Sequence, residues 1–481
     1  MPLPQLRGGV GPPPLIAGGY AGLLRQLEVA GDFSPQAAGE AVHLRLPPRG
    51  AYRDRTDIDF VSLDPAGAKD LDQIVHIARS RAGFRIHYAI ADLPGLIPVG
   101  GAIDQESRRR GLTLYAPWQR YPLHPAPLSE LVASLLADGQ GRPAALWTID
   151  LDGSGRLLRA EVERAWVRNR AQLSYAQATA DMEADRLPEP IRLLPEVGLL
   201  RQGQEIARGG VSLNLPAQEI QPAPDGGWRL VFRRPSPVEG WNAQISLLAG
   251  AAAADLMLRG GCGVLRTLPP ASPQDLERLR RVAQGLRLDW PAGVGYPKFV
   301  RSLDPGRVDH LAMLNACASL FRGAGYALVS RLGTPTLARH AALALPYAHV
   351  TAPLRRLVDR FATEVCLSLC AGQPIPDWVE RALPDLPQTM AAAETRSHRF
   401  HRGLVDLVES LVLADRVGEV FPASVVARRG RRATVQLEDP AVEVNLDLPA
   451  VEPGREIMVR LLSVKTDPPQ LLFDFIGHPY L

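Results

Sequence analysis

The stretch DFVSLDPAGAKDLDQIVHI, residues 59–77, decides how the rest of the chain is read. An apolar run ends at Asp64, a Pro/Gly loop follows, and Asp70 and Asp72 stand just ahead of a second apolar run. Three carboxylates thus fall within nine residues. If Asp70 and Asp72 lie in extended chain their side chains share a face, because alternate residues of a strand do. Asp64 reaches that face across the loop. Oxygen-rich clusters of this kind suit magnesium, which takes carboxylate and water ligands and leaves positions open to phosphates. Two such ions, about 4 Å apart, can polarise a phosphodiester and turn water into hydroxide. A solvated turn is the commoner setting for an arbitrary Asp-x-Asp beside Pro65 and Gly67, and spacing does not decide between the two. A calcium EF-hand is disfavoured: Ile74 stands where a third ligand belongs and no glycine follows.

Outward from this segment the chain is organised in blocks. Short apolar runs broken by turns continue to about residue 170, in IDFVSL (58–63), IVHIA (74–78) and FRIHYAIA (84–91). Asp152-Gly153 closes a hairpin between WTIDL and RLLRAEVERAWV. Helical spacing then takes over at 242–258, 273–286, 308–328, 353–370 and about 386–417. Beyond Gly418 five strand-like runs, FPASVVARR, ATVQLE, AVEVNLDL, EIMVRLLSV and LLFDFI, fit a small OB-type barrel. At the other end a Pro/Gly-rich lead precedes two short helices. One covers roughly Tyr20 to Ala30, and the other has Ser34 as N-cap and Pro35 at its first position. These helices are either helix-turn-helix-like or, more commonly for such extensions, packed on a neighbour. The expected class is α+β, divided into residues 1–52, a main domain over 53–415 and a barrel over 416–481.

Composition bounds the function. At about 150 residues per domain, 481 residues give roughly three domains, and 46% hydrophobic content supplies a core. No stretch approaches the ~18 uninterrupted apolar residues of a membrane span. The N-terminus lacks the order of a signal peptide, so the cytoplasm is the expected compartment. Cys262, Cys317, Cys366 and Cys370 form no CxxC pair, which argues against a zinc site or a disulfide framework. A net charge of +3 permits a nucleic-acid partner without demanding one. Lys69, Lys298 and Lys465 are the only lysines among 54 basic residues, a bias that reads as codon composition; abundant arginine is therefore no sign of phosphate binding.

Further motifs follow the acidic segment in order. FRIHYAIADLPGLIPVGGAIDQESRRRGLTLY (84–115), PLHPAPLSELVASLLADGQGRPA (122–144), RNRAQLSYAQA (168–178), GGVSLNLPAQE (209–219), YAHVTAPLRRLVD (347–359) and AAAETR (391–396) form a collinear set. Together with the acidic segment they resemble the ribonuclease II / ribonuclease R (RNB) exoribonuclease family over roughly residues 58–402. The C-terminal strands resemble that family's OB domain of the ribosomal S-one type. The resemblance implies an RNB catalytic domain, a mixed sheet surrounded by helices, that removes nucleotides processively from the 3′ end of single-stranded RNA as 5′-monophosphates. It further implies Mg2+ held by Asp64, Asp70, Asp72 and Gln73, with Asp72 most critical to the chemical step. Arg355 would face the scissile phosphate, where a planar fork of donors stabilises developing charge. Tyr115 would stack on a base. His349, Thr351, Arg356, Glu394 and Arg396 would contact RNA, Glu394 and Arg396 near its 3′ terminus. A monomer with no membrane association is expected.

The chain also departs from the family pattern. Gln73 stands where the acidic run D-x-D-D has its fourth carboxylate, which keeps a carbonyl oxygen but no charge. Ala352 and Leu357 replace a serine and a tyrosine of the T-S-P-I-R-R-Y block. Only about 50 residues precede the catalytic region, in place of two cold-shock domains, so a more open RNA approach is expected. Two other readings stay open: a protein that binds RNA without degrading it, and a hydrolase of another phosphodiester such as single-stranded DNA. Taken singly, Tyr115 also reads as half-buried packing, Arg355-Arg356 as a surface pair at a helix start, and His349 as a core hydrogen-bonding group.

Overall fold

Short apolar runs broken by turns around the acidic segment predict strands, and a computed structural model of the chain shows them in a sheet buried on both faces. It describes residues 11–213, 215–223, 227–330, 338–437, 439–449 and 451–478. Residues 1–10 of the Pro/Gly-rich lead and Asn214 of the GGVSLNLPAQE motif lie outside these. In chain order the main strands are β1 (Arg53–Asp54), β2 (Phe60–Asp64), β3 (Gln73–Arg79) and β4 (Gly83–Ala91), then a two-residue pair, β5 (Leu114–Tyr115) and β6 (Arg120–Tyr121). They are followed by β7 (Arg142–Asp152), β8 (Leu157–Val167) and β9 (Asn169–Ser174). Seven of them form one sheet in the order β1-β8-β7-β4-β3-β2-β9. Alternation divides their side chains: Val61, Val75, Ile77, Ile86 and Trp147 enter one core. Phe60, Ile74, Ala89 and Leu146 enter another on the opposite face.

The helix Pro237–Gly260 covers the first face, started by a capping box between Ser236 and Glu239. Its small residues Ala249, Ala252, Ala253 and Ala254 are buried, so neighbours come close. Gly250 is required there: a Cβ would lie 2.1 Å from the Tyr347 ring and 2.6 Å from the Ala348 carbonyl. That close approach seats the segment 347–356 against the helix.

Three sequence expectations are corrected. Residues 308–328 are not one helix. The helix Val308–Ala318 ends in a short 3-10 turn, and β13 (Gly325–Val329) pairs antiparallel with β12 (Gly263–Thr267), following β10 (Ala217–Pro222) and β11 (Trp228–Arg233). Gly323, at φ +83, breaks the helical run. The helix expected from residue 353 begins only at Leu357, because Arg356 is extended at φ −143. The first helix is Pro14–Gln26, starting at a proline and stopped before Glu28, which has φ +52. It packs on the 28-residue helix Leu386–Leu413, while Pro35–Val42 packs on Ala102–Arg110. The two N-terminal helices thus pack on different neighbours.

Beyond the long helix, β14 (Val420–Arg429), β15 (Arg432–Leu437), β16 (Val442–Asp447), β17 (Glu456–Thr466) and β18 (Pro469–Gly477) form an antiparallel sheet in the order β16-β15-β14-β17-β18, the OB-like barrel. Phe400, Leu404, Leu407 and Val408 of the long helix share one core with it and with Ile16 and Tyr20. Among the described residues no helix is long and apolar enough to cross a membrane.

Candidate active site

The loop between β2 and β3 emerges at one end of the sheet, and the pairing around it decides what it meets. β2 and β9 run parallel with Asp64 opposite Ser174, which brings the start of the helix Tyr175–Glu183 beside Asp64. β3 pairs with β4, so Gln73 lies opposite Ile90. A cavity of about 960 Å³ opens here. Asp64, Asp70, Asp72 and Gln73 line it from the loop, Thr351, Arg355 and Arg356 from the segment before the helix Leu357–Ala371, and Tyr115 from β5.

Asp72 is the most enclosed of the acids, only 5% exposed. The backbone N–H of Leu354 donates to its Oδ1 at 2.7 Å and the Arg355 Nε to its Oδ2 at 3.3 Å. Burial pushes its pKa up to about 8, with the Arg355 charge and the Leu354 N–H pulling the other way. Asp64 is pushed up to about 7, again chiefly by burial, and Asp70 nearby adds to the rise. Two carboxyls raised by burial within one cavity are the kind of perturbed pair that functional sites often hold.

Magnesium can be tested against these donors. Asp64 Oδ2 is buried without a hydrogen-bond partner, an orphaned oxygen that suits a cation. Asp72 keeps spare lone pairs beyond its two hydrogen bonds. Asp70 and Gln73 are engaged elsewhere. Asp70 Oδ2 meets Arg120 at 2.8 Å and accepts from the Tyr115 hydroxyl at 3.2 Å. Gln73 Oε1 accepts from the Tyr88 hydroxyl and, at 3.3 Å, from Ser246. Among the described residues no three His, Cys, Asp or Glu side chains gather closely enough to hold a metal. Asp64 and Asp72 thus keep oxygens open to a cation, while Asp70 and Gln73, two of the four ligands that the resemblance implies, already have partners.

Three other sequence candidates lie off the cavity lining. His349 Nδ1 is 2.8 Å from the Tyr326 hydroxyl, its ring meets Tyr347 edge-on, and burial holds its pKa well below the ordinary value, so it is neutral. Glu394 pairs with Arg266 at 2.7 Å. Arg396 donates to the backbone carbonyls of Arg109, at 3.2 Å, and Arg110. Conversely, Tyr175, Asn242, Ser246, Tyr347, Arg233 and Arg234 line the cavity without having been singled out. Tyr175 lies within the RNRAQLSYAQA motif, whose Ser174 caps the next helix and so marks a strand-to-helix junction.

Known proteins align with this arrangement. The RNB domain family matches residues 52–365. The chain belongs to the RNB domain family. The C-terminal S1 domain of RNase II-type exonucleases matches residues 419–475 of this RNB protein, over β14 to β18. An exosome complex exonuclease RRP44 homolog A of Arabidopsis thaliana is 25% identical over 358 residues, 71% of this RNB chain but 37% of that protein. In structure, Mycoplasma genitalium RNase R in complex with ribose-methylated single-stranded RNA superposes with a TM-score of 0.86 at 17% identity, over 95% of this chain and 77% of that one. Yeast Ssd1, described as a pseudonuclease, superposes with a TM-score of 0.72 at 13% identity, over 93% and 58%. The shared RNB fold is thus carried by proteins described as nucleases and by one described as a pseudonuclease.

Proposed function

We propose that the chain is a 3′-to-5′ exoribonuclease that hydrolyses single-stranded RNA processively to 5′-mononucleotides with magnesium, working as a monomer in the cytoplasm. One observation carries the reading: Arg355, in the turn just before the helix Leu357–Ala371, reaches the buried Asp72 at the wall of an acid-lined cavity. In this reading Asp72 fixes the guanidinium through Nε and leaves its outer N–H groups free for a phosphoryl oxygen. The Leu354 N–H holds the same carboxylate from behind, so the pair keeps its geometry as charge develops. Tyr115 and Tyr175 line the cavity, and bases would stack on them, a contact tolerant of sequence. A bound Mg2+ would supply Lewis-acid polarisation of the phosphodiester and a more acidic water. Asp64 and Asp72 would hold it.

A second reading, capture of RNA without turnover, is supported by the incomplete acid set at Gln73 and by the likeness to a protein described as a pseudonuclease. One experiment separates them: a denaturing-gel time course on 5′-labelled single-stranded RNA, with and without Mg2+, for wild type, Asp72→Asn and Gln73→Asp. Magnesium-dependent shortening by wild type, lost in Asp72→Asn, is the expected result. If wild type only binds and Gln73→Asp alone shortens the RNA, the nuclease reading is wrong. Equal cleavage of the matching DNA would point to a broader phosphodiesterase.

A further inference from the structure

Arg120 carries a feature that the nuclease reading leaves unused. It lies on β6 directly across from Tyr115 on β5, so one two-residue ribbon presents both side chains to the acidic loop. Arg120 Nη1 stands 2.8 Å from Asp70 Oδ2, and the other Nη pairs with Glu130. The side chains of Arg120 and Asp70 are only 13% and 10% exposed. The Nη1 contact lacks hydrogen-bond alignment, so charge joins the two groups, while the Tyr115 hydroxyl supplies a hydrogen bond to the same oxygen. A guanidinium cannot shed its proton in a protein, so this positive charge is permanent. Screening is weak at such burial, and a divalent ion brought to the same carboxylate would be repelled. Nor can Arg120 simply withdraw, because that would strand Glu130 as well as Asp70 without their cation.

We propose that Arg120 is the resident cation of Asp70, so that Asp70 anchors the ribbon carrying Tyr115 instead of ligating metal, and the site accepts one divalent ion at Asp64 and Asp72. The proposal rests on the magnesium reading above. It makes Arg120 a positioning residue: it acts through Asp70 on the ion count of the cavity and on the placement of the Tyr115 ring. It also gives Gln73 a context, since a site holding one ion beside a fixed guanidinium requires fewer carboxylates than a site holding two.

The test is a manganese titration of the full-length chain, with free Mn2+ read by electron paramagnetic resonance and Mg2+ competition checked by calorimetry. Wild type is expected to bind one Mn2+. Arg120→Gln frees Asp70 and should gain a second ion or bind the first at least tenfold tighter. Adding Asp70→Asn to Arg120→Gln should return the titration to that of wild type, the coupling that isolates this pair. One ion bound with the same affinity by wild type and folded Arg120→Gln overturns the inference alone. No ion bound by either protein removes the magnesium reading, and the inference with it. Should Arg120→Gln fail to fold by near-ultraviolet circular dichroism, Asp70→Asn in the wild-type background decides. Affinity within about twofold of wild type agrees with a carboxylate already committed to Arg120, and a loss equal to that of Asp64→Asn overturns it.

Discussion

Arg355 lines the cavity and Arg396 lies off it, and their guanidiniums end differently. Arg355 precedes the helix Leu357–Ala371, in chain not yet committed to helical hydrogen bonding, and its guanidinium turns inward to Asp72. Arg396 sits in the middle of the helix Leu386–Leu413, and its guanidinium is committed to two backbone carbonyls of the 102–110 helix end. The first arrangement leaves donors free for a ligand, whereas the second closes them in a tie between two helices. A functional guanidinium here depends less on nearby charge than on the backbone that carries it.

The largest effect should come from the inward arginine. Arg355→Lys keeps the charge but loses the planar fork, and single-turnover RNA shortening should fall about 100-fold, the scale of removing one preorganised donor. RNA affinity by fluorescence anisotropy should change far less. A fall below threefold would put the two arginines on an equal footing and end the contrast.

Next in size is the joint where the outward arginine ties. Gly111 closes the helix Ala102–Arg110 at φ +67, and a Cβ there would lie 2.5 Å from the Ala393 Cβ on the long helix. Gly111→Ala combines left-handed strain with overpacking and should cost about 2–3 kcal/mol by chemical denaturation. A cost under 0.5 kcal/mol would show that the two helices are not firmly joined.

How far these differences are legible beforehand depends on the element. The acidic loop and the 347–359 motif reveal their chemistry in sequence because the chain there is extended or turning, so neighbouring charges declare themselves. Sequence places the helix start at residue 353 because Pro353 is a good first helical residue, whereas residues 353–355 form a turn and Arg356 is extended in a bridge to Leu112. The AAAETR motif is less legible. Residues two apart on a helix point to different sides, so the spacing of Glu394 and Arg396 does not reveal the partner of either. They meet Arg266 and the Arg109–Arg110 carbonyls respectively. Arg120 gave no warning, because its partners Asp70 and Glu130 come from two other segments of the chain.

A third face of the long helix extends the contrast to pH. Glu409 is 5% exposed, and its Oε1 accepts from Gln218 of β10 at 2.8 Å and from the Glu443 N–H of β16 at 3.2 Å. Burial raises its pKa to about 7, with Asp406 and Glu443 adding to the rise. A carboxyl raised in the fold holds its proton more tightly than in the unfolded chain. Its contribution is therefore fully present below pH about 4.3 and is lost as pH rises through about 7. Glu409→Gln should flatten that slope and raise stability at pH 8 by about 1–2 kcal/mol, read from urea midpoints at pH 5, 6.5 and 8. An unchanged slope would mean that Glu409 does not keep its proton where the helix, hairpin and barrel meet.

The smallest effect belongs to the outward arginine itself. Arg396→Ala removes two hydrogen bonds to carbonyls, each worth about 1 kcal/mol net, partly offset by water that reaches the half-exposed site. Unfolding should become easier by about 1 kcal/mol, and single-turnover RNA shortening should stay within about threefold of wild type. Glu394→Gln is its partner measurement, since it weakens the pair with Arg266, which stacks over the Tyr326 ring beside His349. If Arg396→Ala instead slows RNA shortening as much as Arg355→Lys does, the helix must turn or unwind when RNA enters. The tie to Arg109 and Arg110 would then be a resting-state contact that the substrate displaces, and the division between inward and outward arginines would hold only before binding.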